Sequence, residues 1–166
     1  MSLIDEDGTG KSTAESLCSV TYCDTYHAAR GNATWATITT AQKEQALRRS
    51  TEFMIEAFTS RWQGYRVSED QALDWPRYDV VVNGYTVDNN IVPEPVKRAC
   101  AEMAIRAAAG PLLDDLTQGV TSETVGSISV TYDKTSNRKT RYTSIEALLQ
   151  PYLKAGGSVS IGLVRA

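Results

Sequence analysis

The run Gly8-Thr9-Gly10-Lys11-Ser12-Thr13 sets glycines, a lysine and hydroxyls in the order used by half of a phosphate-binding loop. In the complete motif, backbone N–H groups cradle phosphate, the lysine neutralises it and the last hydroxyl holds magnesium. That motif needs a further glycine five positions before Gly10, where this chain has Asp5, whose charge would repel phosphate. Only Leu3 and Ile4 precede the loop as candidates for a supporting strand, so nucleotide binding is not expected. Cys18, Cys23 and His27 are spaced loosely like metal ligands, but a closed structural zinc site takes four ligands. His27 is the single histidine, and the remaining cysteine lies far off at Cys100. The odd number of cysteines also argues against a disulfide framework, and all three are expected as small core or helix-face residues. A nucleophilic triad would have to use His27, and no Gly-x-Ser-x-Gly turn exists. Glu69-Asp70 and Asp114-Asp115 read as solvated loop pairs. No catalytic residue, metal or cofactor is expected, and the chain reads as non-enzymatic.

One constellation has a nucleic-acid character: Arg61-Trp62-Gln63-Gly64-Tyr65-Arg66, followed by Trp75-Pro76-Arg77-Tyr78. Aromatic planes interleaved with arginines can stack bases and neutralise a single strand, which makes Arg61, Trp62, Tyr65 and Trp75 candidate contacts. The plainer reading is that Trp62 and Trp75 pin a long loop onto the helices, and the acidic balance of the chain favours it. Net charge is -3 and the pI about 5.2, whereas a domain that grips nucleic acid through phosphates is usually basic.

These residues need elements to hold them. A first helix is expected from about Thr21, with Asp24 completing a capping box, to Gly31. A second runs from a Thr39 cap, with Gln42 closing the box, to about Phe58. Its Ala46, Leu47, Phe53, Met54, Ala57 and Phe58 form one apolar stripe. Asn83-Gly84 between Val80-Val81-Val82 and Tyr85-Thr86-Val87 predicts a tight hairpin, because the pair supplies the positive φ the turn needs. A third helix starts near Pro95 and ends at Gly110-Pro111. Its many alanines make it slim, hence central or set at a subunit interface. A strand is expected over 125–132 and a basic turn at Lys134, Arg138, Lys139 and Arg141. A last short helix should start near Ser144, with Thr143 and Glu146 as its capping box, and reach about Leu153.

The fold class is therefore mainly α: a small bundle of about four helices with a short β-hairpin element and extended N- and C-terminal arms. The chain of 166 residues reads as one domain, with an N-terminal arm over 1–18, a core over 19–155 and a C-terminal docking arm over 156–166. Ordering each residue of that last arm costs about 1–2 kcal/mol. Val159, Ile161, Leu163 and Val164 are nonetheless too apolar for a solvated end, so the arm is expected to dock on a neighbour. No apolar run is long enough to span a membrane, and the acidic N-terminus is unlike a signal peptide. The protein is expected to be made and used in a cytoplasm.

Several runs resemble a family encoded in the structural gene clusters of tailed bacteriophages and prophages. They are Tyr22-Cys23-Asp24-Thr25-Tyr26-His27-Ala28-Ala29-Arg30-Gly31, ending at Trp35, then Arg61 to Val67, Gln71-Ala72-Leu73-Asp74-Trp75-Pro76-Arg77, and Ile91 to Ala99. Members of that family are similar in helical layout to head–tail connector (adaptor) proteins, and some carry the label DnaT-like single-stranded-DNA-binding protein. The resemblance covers about Ile4 to Val164. It implies a ring, typically of twelve copies, joining the portal protein to a stopper or tail completion protein in the virion neck and lining the channel for passing double-stranded DNA. Within that ring the expected portal or neighbour contacts are Ile161, Leu163, Val164 and Arg165, and the expected lumen or next-ring contacts Lys134, Arg138, Lys139 and Arg141, chosen for their expected exposure and not for any match to a family site. The alternative is a single-stranded-DNA-binding replication accessory working through Arg61, Trp62, Tyr65 and Trp75.

Overall fold

The computed structural model describes residues 2–112, 122–125, 128–131 and 142–154. Its helices are α1 (Val20–Ala28), α2 (Ala33–Thr37), α3 (Thr40–Phe58), α4 (Glu94–Ala109) and α5 (Thr143–Leu149), the last continued by a 3-10 turn over Gln150–Tyr152. Three antiparallel pairs accompany them: β1 (Tyr65–Arg66) with β2 (Arg77–Tyr78), β3 (Val81–Val82) with β4 (Tyr85–Thr86), and β5 (Ser122–Val125) with β6 (Ile128–Thr131). The architecture is mainly helical.

The two longest helices form the centre. α3 starts on the expected capping box, with the Thr39 hydroxyl accepting from Gln42 N and the Gln42 side chain accepting from Thr39 N. Its buried face is Ala46, Leu47, Phe53, Met54 and Phe58, joined by Ser50 and Thr51. α4 presents Val96, Cys100, Met103 and Ala107 to it, with Ala99, Ala101 and Ala104 also fully buried. Small side chains let the two backbones approach, and Ser50 Oγ donates across the gap to Cys100 O at 2.7 Å. The alanines of α4 are thus central to the subunit itself.

Three boundaries differ from expectation. α1 is capped by Ser19, whose extended backbone lets its Oγ accept from Tyr22 N at 3.1 Å. Asp24 is not its cap partner, because that carboxylate accepts from Trp35 Nε1 at 2.7 Å and Lys43 Nζ at 2.8 Å. α5 begins at Thr143 behind Tyr142, which makes no side-chain cap bond, so no Thr143–Glu146 box forms. β5 and β6 make a pair where one strand was expected over 125–132. The N-terminal segment is irregular, as its composition suggests, but it is tied down. Glu6 N donates to Ser16 O at 2.8 Å and Glu15 N to Ile4 O at 2.7 Å, while Ala14, Ser16 and Leu17 are buried. The predicted contacts Lys134, Arg138, Lys139 and Arg141, and the tail residues Ile161, Leu163, Val164 and Arg165, lie outside the described residues.

Candidate nucleic-acid interface

The segment 59–87 contains the arginine–aromatic constellation, and the structure divides it into an inner and an outer set. Trp62 and Trp75 belong inside, at 1% and 0% exposure. Their rings meet edge to face at 5.5 Å, and Trp62 Nε1 donates to Asp74 Oδ2 at 3.0 Å. Thr59 Oγ1 donates to the same oxygen at 2.7 Å. Trp75 precedes a cis proline, Pro76, and packs edge-on against Tyr152 at 5.9 Å. Neither indole face is available to a base, which leaves the plainer of the two sequence readings for Trp62 and Trp75. They anchor the loop.

Arg77 is also interior. Its guanidinium donates to the carbonyls of Gln63 at 2.7 Å, Asp74 at 3.0 Å and Gly64 at 2.8 Å. Burial pulls its pKa below the usual guanidinium value, with Asp74 opposing that pull and Arg66 adding to it. The close approach needs Gly64, which sits at φ +60°, and any Cβ there would lie 2.0 Å from Tyr78 O. Buried Gln71 braces the far side, donating to Leu73 O at 2.8 Å and Pro76 O at 3.1 Å. The end of the described chain closes the unit, with Lys154 N donating to Arg61 O at 2.7 Å and Gln63 N to Tyr152 O at 3.0 Å.

What this scaffold exposes is a pair of tyrosines. Tyr65 and Tyr78 face each other across β1 and β2, with ring centroids 5.5 Å apart and exposures of 63% and 42%. Arg66 adjoins them and donates to the carbonyls of Glu69 and Gln71. Arg61 is half exposed, lies over the Phe58 ring at 5.1 Å and pairs with Glu146 at 3.8 Å. On the next hairpin Tyr85 is, among the described residues, the most exposed large apolar side chain, at 80%. The Asn83-Gly84 turn behind it has the expected positive φ of 53° and 85°. Of the four residues proposed for single strands, the structure therefore leaves Arg61 and Tyr65 at the surface and withdraws the tryptophans. Tyr78 and Tyr85 were missed as contacts. No local signal in the sequence marks them as exposed, since the pairing of β1 with β2 and of β3 with β4 is what turns them outward.

The other sequence candidates are structurally satisfied. The loop at Gly8–Lys11 does gather N–H groups around an anion, but that anion is the chain's own Glu6. The Glu6 carboxylate accepts from Gly8 N at 2.9 Å, Gly10 N at 2.9 Å and Lys11 N at 2.8 Å, and is 2% exposed. Lys11 Nζ pairs with Asp7 at 2.9 Å and donates to Asp5 O at 2.9 Å. Hydrogen bonds from Thr9 and Lys11 hold the Asp7 carboxyl down at about 2. His27 is buried between Ala101 O, at 3.1 Å from Nε2, and Asn32 Nδ2, at 2.9 Å from Nδ1. Among the described residues no group of three His, Cys, Asp or Glu side chains could hold a metal ion.

These features define a class: a mainly helical protein whose small β-hairpins carry exposed tyrosines on a buried tryptophan base. The chain belongs to the family described as "Putative DnaT-like ssDNA binding protein", whose sequence profile matches residues 1–166. No curated protein and no solved structure matches it.

Proposed function

We propose that this chain is a non-catalytic binding subunit that contacts single-stranded DNA by stacking bases on Tyr65 and Tyr78. The observation that carries this reading is the exposed, cross-strand tyrosine pair held rigidly beside Arg66, with the family's description pointing to the same ligand. A π-face reads no particular base, so binding should be tolerant of sequence. Few cations adjoin the pair, and carboxylates Glu69, Asp70 and Asp79 are exposed in the same loops. Binding should then be weak and only mildly salt-dependent. Two arginines on single-stranded phosphates give a slope of log K on log salt of roughly -1.4.

Fluorescence anisotropy of a labelled oligothymidylate at low salt tests this. Stacking is worth about 1–3 kcal/mol per base, so Tyr65→Ala or Tyr78→Ala should weaken binding by roughly 5- to 150-fold. Absence of binding by the native protein, or binding by both variants as tight as the native protein's, overturns the reading.

A second reading is favoured by the same acidic surroundings and by the net charge of -3. In it the subunit is a head–tail adaptor of a tailed phage, and the tyrosine hairpins meet protein, with acidity keeping passing DNA from being gripped.

A further inference from the structure

The core contains a cluster of thiols and hydroxyls that the binding surface does not use. Cys18 and Cys23 have their sulfurs 3.5 Å apart, at 2% and 0% exposure. Cys100, fully buried on α4, takes the Ser50 hydroxyl at 3.5 Å and lies 3.6 Å from Thr51 Oγ1. Ser16 Oγ donates to Cys18 O at 2.8 Å and accepts from Cys18 N at 3.3 Å. The backbone on both sides of the pair is thus fixed, Cys18 by Ser16 and Cys23 by the Ser19-capped first turn of α1. Packing alone would be served by apolar side chains of similar size. All three thiols are free, and the cluster is not a metal site by the geometry already given.

We propose that Cys18 and Cys23 form a hydroperoxide-sensitive pair that closes to a disulfide within the folded protein. A disulfide bond is about 2 Å long, so from 3.5 Å the sulfurs need to approach by roughly 1.5 Å. Cys18 is the poorer first reactant, because hydrogen bonds to Cys100 and Cys23, together with burial, push its thiol up; the same bond to Cys18 holds Cys100 down at about 7, which makes Cys100 the competing site that the test must clear. Cys23 takes the first step: once its proton is lost to solvent, its sulfur attacks hydrogen peroxide, the O–O bond breaks, and hydroxide leaves as the sulfur becomes a sulfenic acid. The Cys18 thiol then attacks that sulfur, and the sulfenic hydroxyl departs with the thiol proton as water. The pair has lost two electrons and peroxide has gained them. Access to the buried sulfurs comes through local opening of the short helix α1. The closed ring spans only residues 18–23, so it removes less unfolded-chain entropy than a long-loop bridge would. The product is a staple between the N-terminal segment and α1 that is read most directly by mass and thiol count.

The sequence makes the test direct, since Ser12–Arg30 contains no internal Lys or Arg and carries both residues in one tryptic peptide, separate from Cys100. Native protein would be treated with hydrogen peroxide, alkylated under denaturing conditions and digested. The expected result is a Ser12–Arg30 peptide about 2 Da lighter than its reduced form, unalkylated, and restored to two alkylations by dithiothreitol. Cys100 should still be alkylated, and Cys100→Ala should leave the link intact. Two alkylated cysteines in Ser12–Arg30 after treatment would overturn the proposal. So would a link to Cys100, or oxygen adducts on Cys18 and Cys23 in place of the bond.

Discussion

Glu6 shows at the residue scale how a motif can be half right. Positive φ at Gly8 and Gly10 turns successive N–H groups inward, as a phosphate loop does, yet a carboxylate from two residues upstream fills the space. Glu6→Ala should leave three inward donors unsatisfied and lower stability by about 1–3 kcal/mol. Urea midpoints in phosphate and in chloride of equal ionic strength check this. The variant should recover more in phosphate than the native protein does, and equal response in both would mean the donors do not form an anion nest. His27 gives a pH prediction. Burial lowers its pKa in the fold, against the pull of its hydrogen bond to Ala101 O. The unfolded chain then binds the proton more readily, so stability falls as pH drops below the unfolded value of about 6.5. The loss levels off below the folded pKa, where both states are protonated. Urea midpoints at pH 7.5 and 5.5 should fall for the native protein and stay closer together for His27→Gln.

At the scale of elements, the helices were legible because their signals are local. The Thr39–Gln42 box, the stripe on α3 and the Pro95–Gly110 bounds of α4 each lie within one run of sequence, and all appear in the structure. Asn83-Gly84 announced its hairpin for the same reason. What could not be read was partnership across the chain. Asp24 looked like a cap residue until Trp35 and Lys43 claimed it. That Trp62 pins its loop was legible as the plainer reading, but the partner that holds its indole N–H, Asp74, was not. The role of α4 was legible only as a choice between centre and interface, and packing on α3 places it at the centre. A consequence can be measured by thermal or urea unfolding. Ala104 is fully buried, so Ala104→Leu should overpack the α3–α4 contact and cost about 1–3 kcal/mol. Ala108, exposed one turn on, should accept leucine within about 0.5 kcal/mol. Equal effects at the two sites would place the close helix contact elsewhere.

For the whole molecule, the two functional readings differ in what the subunit does to its own mass. A single-strand binder needs only the tyrosine face, which one copy presents complete, since Tyr65 and Tyr78 come from paired strands of the same chain. An adaptor needs copies to associate, and the described core offers little incentive of its own. Its alanine-rich helix is already covered, and its large exposed apolar groups are Tyr65, Tyr78, Val81 and Tyr85 on the hairpins with Ile4 and Ile91 apart from them. Association would then have to draw on the hairpins and on the apolar residues of 158–166. Light scattering after size exclusion separates the cases. On the adaptor reading, adding purified portal protein converts the chain into a many-copy assembly, and deleting residues 157–166 abolishes that conversion while the circular dichroism of the helices stays unchanged. On the single-strand reading, portal protein has no effect, and the mass changes only with an oligonucleotide, through Tyr65 and Tyr78. A ring that still forms on the portal without residues 157–166 would keep the adaptor role but move its contact surface onto the tyrosine hairpins. The same tyrosine variants would then lose assembly and leave oligonucleotide binding unaffected.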